Sequence, residues 1–144
     1  MRSAEFRAAQ LWHEVLLNSA TAEMVKKYGA LMKRRPVEIR IIGLAASTPD
    51  WLLRDYGAAL HLPKSTLTSL VDRLEKEGLV RRVLSPRDRR SYGLELGPQG
   101  PEFLQLYTAY QKETGGRILA ALDAAEQRQL LALLEKVAAA MEGA

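Results

Sequence analysis

The sequence predicts a mainly α-helical (α+β) fold: a winged helix-turn-helix with a small β-hairpin wing and long N- and C-terminal dimerisation helices. Two observations carry this prediction. Between residues 64 and 77, apolar residues recur with the i, i+3, i+4, i+7 spacing of one helix face, at Leu67, Leu70, Val71 and Leu74. Gly78 then ends this helix, and two short strands, over residues 79–84 and 92–96, enclose a polar turn rich in arginine.

Ahead of this segment, the pattern predicts three helices. Residues 3 to about 32 form one long helix, because apolar residues recur there every three to five positions. Pro36 suits the first turn of a helix that runs to about residue 47, since the N–H that proline lacks would have no partner there. Asp50 is expected to cap a short helix over residues 51–60.

Beyond the hairpin, a breaker segment at residues 97–101 precedes a helix over about residues 102–122. Its interior pair Gly115 and Gly116 predicts a bend or a close helix crossing, because each glycine costs about 1 kcal/mol relative to alanine. Asp123 and Glu126 predict a capping box at the start of a last helix that runs to about residue 141.

These elements divide the chain into three parts. An N-terminal helix occupies residues 1–35, a winged helix-turn-helix domain occupies residues 36–97, and C-terminal helices occupy residues 98–144. The terminal helices have more apolar surface than the small central domain covers. The favoured solution is a symmetric homodimer in which the ends of two chains pack together. The alternative is a monomeric bundle in which the helices fold onto their own chain.

The excess positive charge is concentrated in one stretch. The whole chain has 21 basic and 17 acidic residues, a net charge of +4, and its isoelectric point is about 9.5. The segment from His61 to Tyr92 has eight basic and four acidic residues, which is also a net charge of +4. One helix and one hairpin therefore carry the whole excess, and they predict a surface that binds a polyanion.

Several classes of protein are disfavoured by composition. The chain has no cysteine, which excludes disulfides and a thiol switch, and only two histidines, which makes a metal site improbable. No glycine-rich phosphate loop or catalytic constellation indicates an enzyme, and no cofactor is expected. No apolar run is long enough to span a bilayer and no signal peptide is present, so we expect a cytoplasmic protein.

The recognition-helix and wing residues resemble the MarR family of bacterial transcription regulators. The resemblance rests on STLTSLVDRLEKEGLVRR at residues 65–82 and PRDRRSYGLELGPQG at residues 86–100. The family's wing signature, Asp-x-Arg, five residues and Leu-Thr, is present from Asp88 to Leu96, with Gly97 in place of the threonine. The sequence departs from the family at His61, where a glycine is usual, and at Pro63, where an N-capping serine is usual.

The resemblance implies a homodimeric DNA-binding regulator, in which groove chemistry assigns roles to particular residues. The major groove admits a helix, whose hydroxyl and cationic side chains can read base edges. The candidates on the recognition helix are Lys64, Ser65, Thr66, Thr68, Ser69 and Arg73. At the wing, the resemblance implies that Arg90 enters the minor groove, oriented by Asp88, while Arg87 and Arg89 hold phosphates. Two recognition helices about one DNA turn apart would require a pseudo-palindromic operator of double-stranded DNA.

Two further expectations concern a small ligand and an alternative kind of partner. The resemblance implies that a small, often aromatic or anionic ligand relieves repression; Trp12, His13, Trp51 and Tyr56 are candidates to bind it. Aromatic residues at helical spacing are more often core or dimer contacts, and packing is the favoured interpretation of these four. The alternative function is a winged helix that binds an acidic protein partner without DNA specificity.

Overall fold

The computed structural model describes residues 2–142, and it confirms a mainly helical fold with one antiparallel hairpin. The elements in chain order are α1 (Ala4–Asn18), α2 (Ala22–Met32), α3 (Pro36–Ser47), α4 (Leu53–Leu60), α5 (Lys64–Lys76), β1 (Val80–Leu84), β2 (Tyr92–Leu96), α6 (Gly100–Leu119) and α7 (Ala124–Glu142). The chain forms two compact units. One consists of residues 25–109, and the other combines the segments up to residue 24 and from residue 110 onward.

The core of the unit at residues 25–109 is built around α5. All four residues of the predicted apolar stripe on α5 are buried, with Val71 and Leu74 fully inaccessible, so this prediction is confirmed. Ile41 and Ile42 of α3 and Tyr56 of α4 are equally inaccessible and belong to the same unit's core. The buried stripe leaves the polar side of α5 facing outward.

The hairpin follows α5 through a turn that requires glycine. Gly78 has a φ of 75°, the left-handed conformation that ends a helix at little cost only for glycine. The hairpin pairs Val80 with Leu96 at its base and Leu84 with Tyr92 near its tip. Gly97 then passes so close to Gly78 that a Cβ at position 97 would clash with the Gly78 carbonyl oxygen. The wing is therefore fixed at the end of the recognition helix.

The prediction of one long N-terminal helix was wrong. The helix stops at Asn18 and a second one begins at Ala22. The Ser19 hydroxyl donates to the Leu16 carbonyl at 2.8 Å, and the Thr21 hydroxyl accepts from the Met24 amide at 3.1 Å. These side chains satisfy backbone groups that a continuous helix would pair internally, so the polar segment ends one helix and caps the next. The apolar periodicity alone did not reveal the break.

Asp50 does not cap α4, which begins at Leu53 rather than at residue 51. The carboxylate that serves this end belongs to Asp55, which accepts a hydrogen bond from the Leu52 amide at 2.8 Å. An acidic residue at the third helical position can reach back to the N-cap amide in this way. Asp50 remains exposed in the preceding turn.

In the other unit, the capping box at the start of α7 is confirmed. The Asp123 amide donates to Glu126 Oε1 at 3.0 Å, and the Glu126 amide donates to Asp123 Oδ1 at 2.9 Å. The helix α6 continues through Gly115 and Gly116, and a Cβ at either position would meet none of the described atoms within 4 Å, so no other described segment of this chain crosses closely there. A 20-residue helix tolerates the modest propensity cost of two glycines. Neither α1 nor α7 contains a buried residue.

Candidate nucleic-acid interface

The outward side of α5 presents hydroxyls and cations. All six recognition-helix candidates are exposed: Lys64, Ser65, Thr66, Thr68, Ser69 and Arg73. At about 100° per residue, Ser65, Ser69, Asp72 and Lys76 form a line along the middle of this side. The side chains opposite the buried stripe are therefore short hydroxyls near the start of α5 and longer charged groups near its end.

The turn before α5 contains His61 and Pro63, the two positions where the sequence departs from the family pattern. His61 closes α4 in the left-handed region, with φ 53° and ψ 44°. This is the one non-glycine residue with positive φ in the described part of the chain. Pro63 occupies the N-cap position of α5, and no side chain caps the helix there. The first amide groups of α5 are thus left for solvent or for an anion.

The tip of the wing is shaped by Asp88. Its carboxylate accepts from the Arg90 amide at 3.0 Å and from the Ser91 hydroxyl at 3.3 Å. The Ser91 amide also donates to the Asp88 carbonyl at 3.0 Å. Asp88 therefore acts on the backbone of Arg90, and the tip presents Arg89 and Arg90 as exposed side chains.

Ion pairs divide the eight basic residues of this surface into two groups. Four of them pair with carboxylates: Arg73 with Glu38, Arg81 with Glu95, Arg82 with Asp72 and Glu75, and Arg87 with Asp55. Within residues 2–142, no carboxylate forms an ion pair with the other four, which are Lys64, Lys76, Arg89 and Arg90. The count of formal charges therefore overstates the number of cations ready for a new partner.

The pair between Arg87 and Asp55 ties the wing to α4. Arg87 Nη2 lies 2.8 Å from Asp55 Oδ2, the same oxygen that accepts from the Leu52 amide. The Leu52 N–H, and after it the positive charge of Arg87, hold the pKa of Asp55 below its usual value. In the free protein, Arg87 is thus engaged with a carboxylate, unlike its neighbour Arg89.

A second carboxylate, Glu38, lies at the centre of an ion-pair network near the C-terminal end of α5. Glu38 is only 4% exposed and pairs with Arg73 of α5. Arg34 Nη1 lies 3.5 Å from Glu38 Oε2 and 2.5 Å from Glu77 Oε2, while Arg35 Nε lies 3.7 Å from Glu38 Oε1. The network joins the segment between α2 and α3 to the C-terminal end of the recognition helix.

Comparison with known proteins identifies the family. Residues 36–91, from the start of α3 through the wing tip, match the model of the MarR family. The chain belongs to the MarR family. A curated relative, the HTH-type transcriptional regulator YkoM of Bacillus subtilis (strain 168), is 30% identical over 101 residues, which cover 70% of this chain and 66% of YkoM. Matched segments span between 38% and 66% of the length of four curated relatives.

Solved structures show the same fold over nearly the whole chain. FabT of Streptococcus pneumoniae, in complex with DNA, matches with a TM-score of 0.77 at 21% identity, over 96% of this chain and 98% of FabT. PcaV of Streptomyces coelicolor, in complex with its natural ligand, matches with a TM-score of 0.60 at 25% identity, over 94% of this chain and 89% of PcaV.

The four ligand candidates of this MarR-family chain lie in two different units. Tyr56 is buried; its ring packs edge-on against Trp51, with the centroids 5.4 Å apart, and its hydroxyl oxygen lies 3.3 Å from that of Thr48. Burial raises the pKa of Tyr56. Trp12 and His13 belong to the unit of the terminal segments and are exposed on α1. Tyr56 thus has the surroundings of a core residue.

Sequence reasoning missed Glu38 and Asp55. Both are acidic residues in the first turn of a helix, which is a common capping position. Nothing local indicates that their partners would be Arg73 and Arg87, which are 35 and 32 residues away in the chain.

Two other kinds of feature are absent from residues 2–142. No three His, Asp or Glu side chains there form a group that could hold a metal. None of the helices in this range combines the length and the apolar character that a membrane span requires.

Proposed function

We propose that the protein is a sequence-specific double-stranded DNA-binding transcription regulator that works as a homodimeric repressor released by a small ligand. The observation that carries the proposal is the combination, on one unit, of an exposed hydroxyl-rich recognition helix and a wing tip with two unpaired arginines. Binding to chromosomal DNA would make it a cytoplasmic protein, and a regulator of this kind needs no catalytic residues.

The two parts of the surface suit the two grooves of DNA. Ser65, Thr66 and Thr68 near the start of α5 offer hydroxyls that can donate to or accept from base edges in the major groove. Arg90, held at the tip by the Asp88 turn, suits the minor groove, where a narrow width concentrates negative potential. Lys64, Lys76 and Arg89 form no ion pair within the described chain and would neutralise phosphates.

The terminal unit supports a dimer. Large apolar side chains are exposed on α1 and α7: Phe6, Trp12, Leu16, Leu17, Leu131, Leu133, Val137 and Met141. Exposed apolar surface of this extent marks an interface in a water-soluble protein. A symmetric partner would bury these faces and present two recognition helices to half-sites about 34–36 Å apart.

A groove on the DNA-binding unit could take the ligand that releases the protein from DNA. An open groove of about 470 Å³ lies between α4 and α5 and is bordered by the candidate DNA contacts Lys64 and Thr68. Its size is within the range of about 300–1,000 Å³ that small-molecule sites occupy. The solved complex of PcaV with its natural ligand supports the idea that proteins of this fold take small molecules. A compound bound in this groove would compete directly with DNA.

Fluorescence anisotropy with labelled duplexes tests the proposal. The duplexes should tile the intergenic DNA upstream of the protein's own gene, with a scrambled duplex of equal composition as the control. We expect one pseudo-palindromic fragment to bind best, with log affinity falling linearly in log salt. If Lys64, Lys76 and Arg89 of each protomer neutralise one phosphate each, six phosphates are neutralised in a dimer and the slope should be about −5. Equal binding to all duplexes, or no binding in dilute buffer, would argue for a protein-binding module instead.

A further inference from the structure

The wing and the α2–α3 corner, defined here as residues 33–35, flank α5 on opposite sides. Arg82 of β1 binds Glu75 at 2.9 Å, which places the wing beside the flank of the helix that carries Glu75, and it also reaches Asp72 on the middle line at 2.6 Å. Arg34 binds Glu77 at 2.5 Å, which places the corner beside another flank. Glu75 and Glu77 are two residues apart and so point about 200° from each other around the helix axis. The exposed line of Ser65, Ser69 and Lys76 runs between the two flanks.

The corner flank carries a polar cleft with excess positive charge. The cleft has a volume of about 570 Å³ and is lined by Lys33, Arg34, Arg35, Glu38, Arg73 and Glu77. Four cations against two carboxylates leave a net charge of +2. Arg34 and Arg73 are engaged by Glu38 and Glu77, whereas the remaining two cations are available. Lys33 forms no ion pair within the described chain, and Arg35, 63% exposed, has only the 3.7 Å contact with Glu38.

Groove geometry indicates what lies next to this flank in a DNA complex. The major groove is about 12 Å wide, close to the diameter of an α-helix with its side chains. A helix in the groove therefore has a sugar-phosphate strand along each side. The wing covers one side of α5, and the corner faces the other. The start of α3, whose N-cap residue is Arg35, adds the positive end of a 12-residue helix dipole there.

We propose that Lys33 and Arg35 bind backbone phosphates of the DNA strand that borders the major groove on the side of α5 away from the wing. Glu38 is a positioning residue in this arrangement, because it holds Arg73 and Arg34 and so fixes the corner against the recognition helix. The inference rests on the proposed function and adds to it a phosphate-binding surface that lies at and before the edge of the matched family region.

The first test compares two double variants of the full chain by anisotropy over a range of salt concentrations. Lys33→Ala/Arg35→Ala should weaken binding to the operator and to a scrambled duplex by the same factor, because phosphates carry no sequence information. The salt slope should fall by about 0.9 for each lost contact, and so by up to about 3.6 in a dimer. Lys112→Ala/Arg128→Ala removes the same charge from exposed positions of the terminal unit and should leave the slope unchanged.

A second test locates the contact and does not depend on affinity. Because the chain has no cysteine, Lys33→Cys and Arg89→Cys each allow a single iron-EDTA label. We expect the label at position 33 to cut the backbone on the opposite side of each recognised major groove from the label at position 89. No cutting from position 33, with cutting from position 89 intact, would overturn the inference, as would a slope for the corner variant equal to that of the control. Failure of the unmodified protein to bind any duplex would overturn the proposed function as well.

Discussion

Two arginines of the hairpin, Arg90 and Arg81, differ in whether they form an ion pair. Replacing each in turn distinguishes a direct DNA contact from a general effect of surface charge. Arg90 lies at the wing tip with no ion pair to the described residues, whereas Arg81 pairs with Glu95 on the facing strand. We expect Arg90→Ala to weaken operator binding by about tenfold or more, because a minor-groove cation is lost. Arg81→Ala is the matched control and should change affinity less than twofold in the same gel shift. An unchanged shift for Arg90→Ala would remove Arg90 from the interface.

Asp55 links two elements through one carboxylate and should make stability depend on pH. Its pKa in the folded protein is lowered, first by the Leu52 N–H and then by Arg87, so the ionised form favours folding. This contribution is present above the unfolded-state pKa of about 3.8 and is lost as the pH falls through the lower folded pKa. Asp55→Asn should therefore reduce the free energy of unfolding at pH 7, and the difference from the unmodified protein should shrink below pH 3.8.

Urea unfolding at a series of pH values measures this difference. Asp50→Asn is the control, because the Asp50 carboxylate lies exposed in the turn and accepts none of the hydrogen bonds that hold α4. It should leave the unfolding curve unchanged at every pH. If both variants lost stability equally, general surface charge rather than the Asp55 contacts would account for the effect.

At the level of elements, the sequence predicted those helices, strands and helix ends that depend only on neighbouring residues. The buried stripe of α5, the glycine that ends it and the alternating strands of the hairpin are each encoded within a few neighbouring residues. The break at Ser19 was missed because side-chain capping competes with the helix and leaves the apolar spacing almost undisturbed. The pairing of Glu38 with Arg73 was missed because it depends on two distant segments meeting in the folded chain.

The helix-turn-helix turn allows an element-level prediction at His61. A non-glycine residue in the left-handed region costs about 1 kcal/mol or more, so His61→Gly should raise the free energy of unfolding by up to about 1 kcal/mol. His61→Asn should be close to neutral, because asparagine tolerates this conformation, and His61→Val should destabilise because its β-branch does not. Chemical denaturation of the three variants would give this order. A stabilised valine variant would contradict the strained turn.

At the level of the whole molecule, the two terminal helices expose apolar side chains that no other described part of the chain buries. The helices α1 and α7 contain no buried residue, and Leu17 and Met141 are 81% and 71% exposed. At about 25 cal/mol per Å² of apolar surface removed from water, covering such faces is a strong drive to association. The sequence predicted this surplus, since its apolar periodicity continues through both ends, but periodicity does not distinguish a partner chain from a bundle.

The last helix should therefore determine both assembly and operator binding. Deleting residues 123–144 removes α7 and should convert the dimer to monomers, which light scattering measures directly. Operator affinity should then fall by about 100-fold or more, because the second half-site is no longer bound as part of one assembly. Affinity for a single half-site should be little changed, since the recognition helix and the wing lie in the other unit.

A double substitution on α7 should reproduce the loss without shortening the chain. Leu133→Asp/Val137→Asp changes two exposed positions one helical turn apart, and Lys136→Asp, which changes the charge by the same amount, is its control. A dimer mass that survived the deletion would place the interface elsewhere, whereas monomers with full operator affinity would mean that each wing and recognition helix binds DNA without a tethered partner.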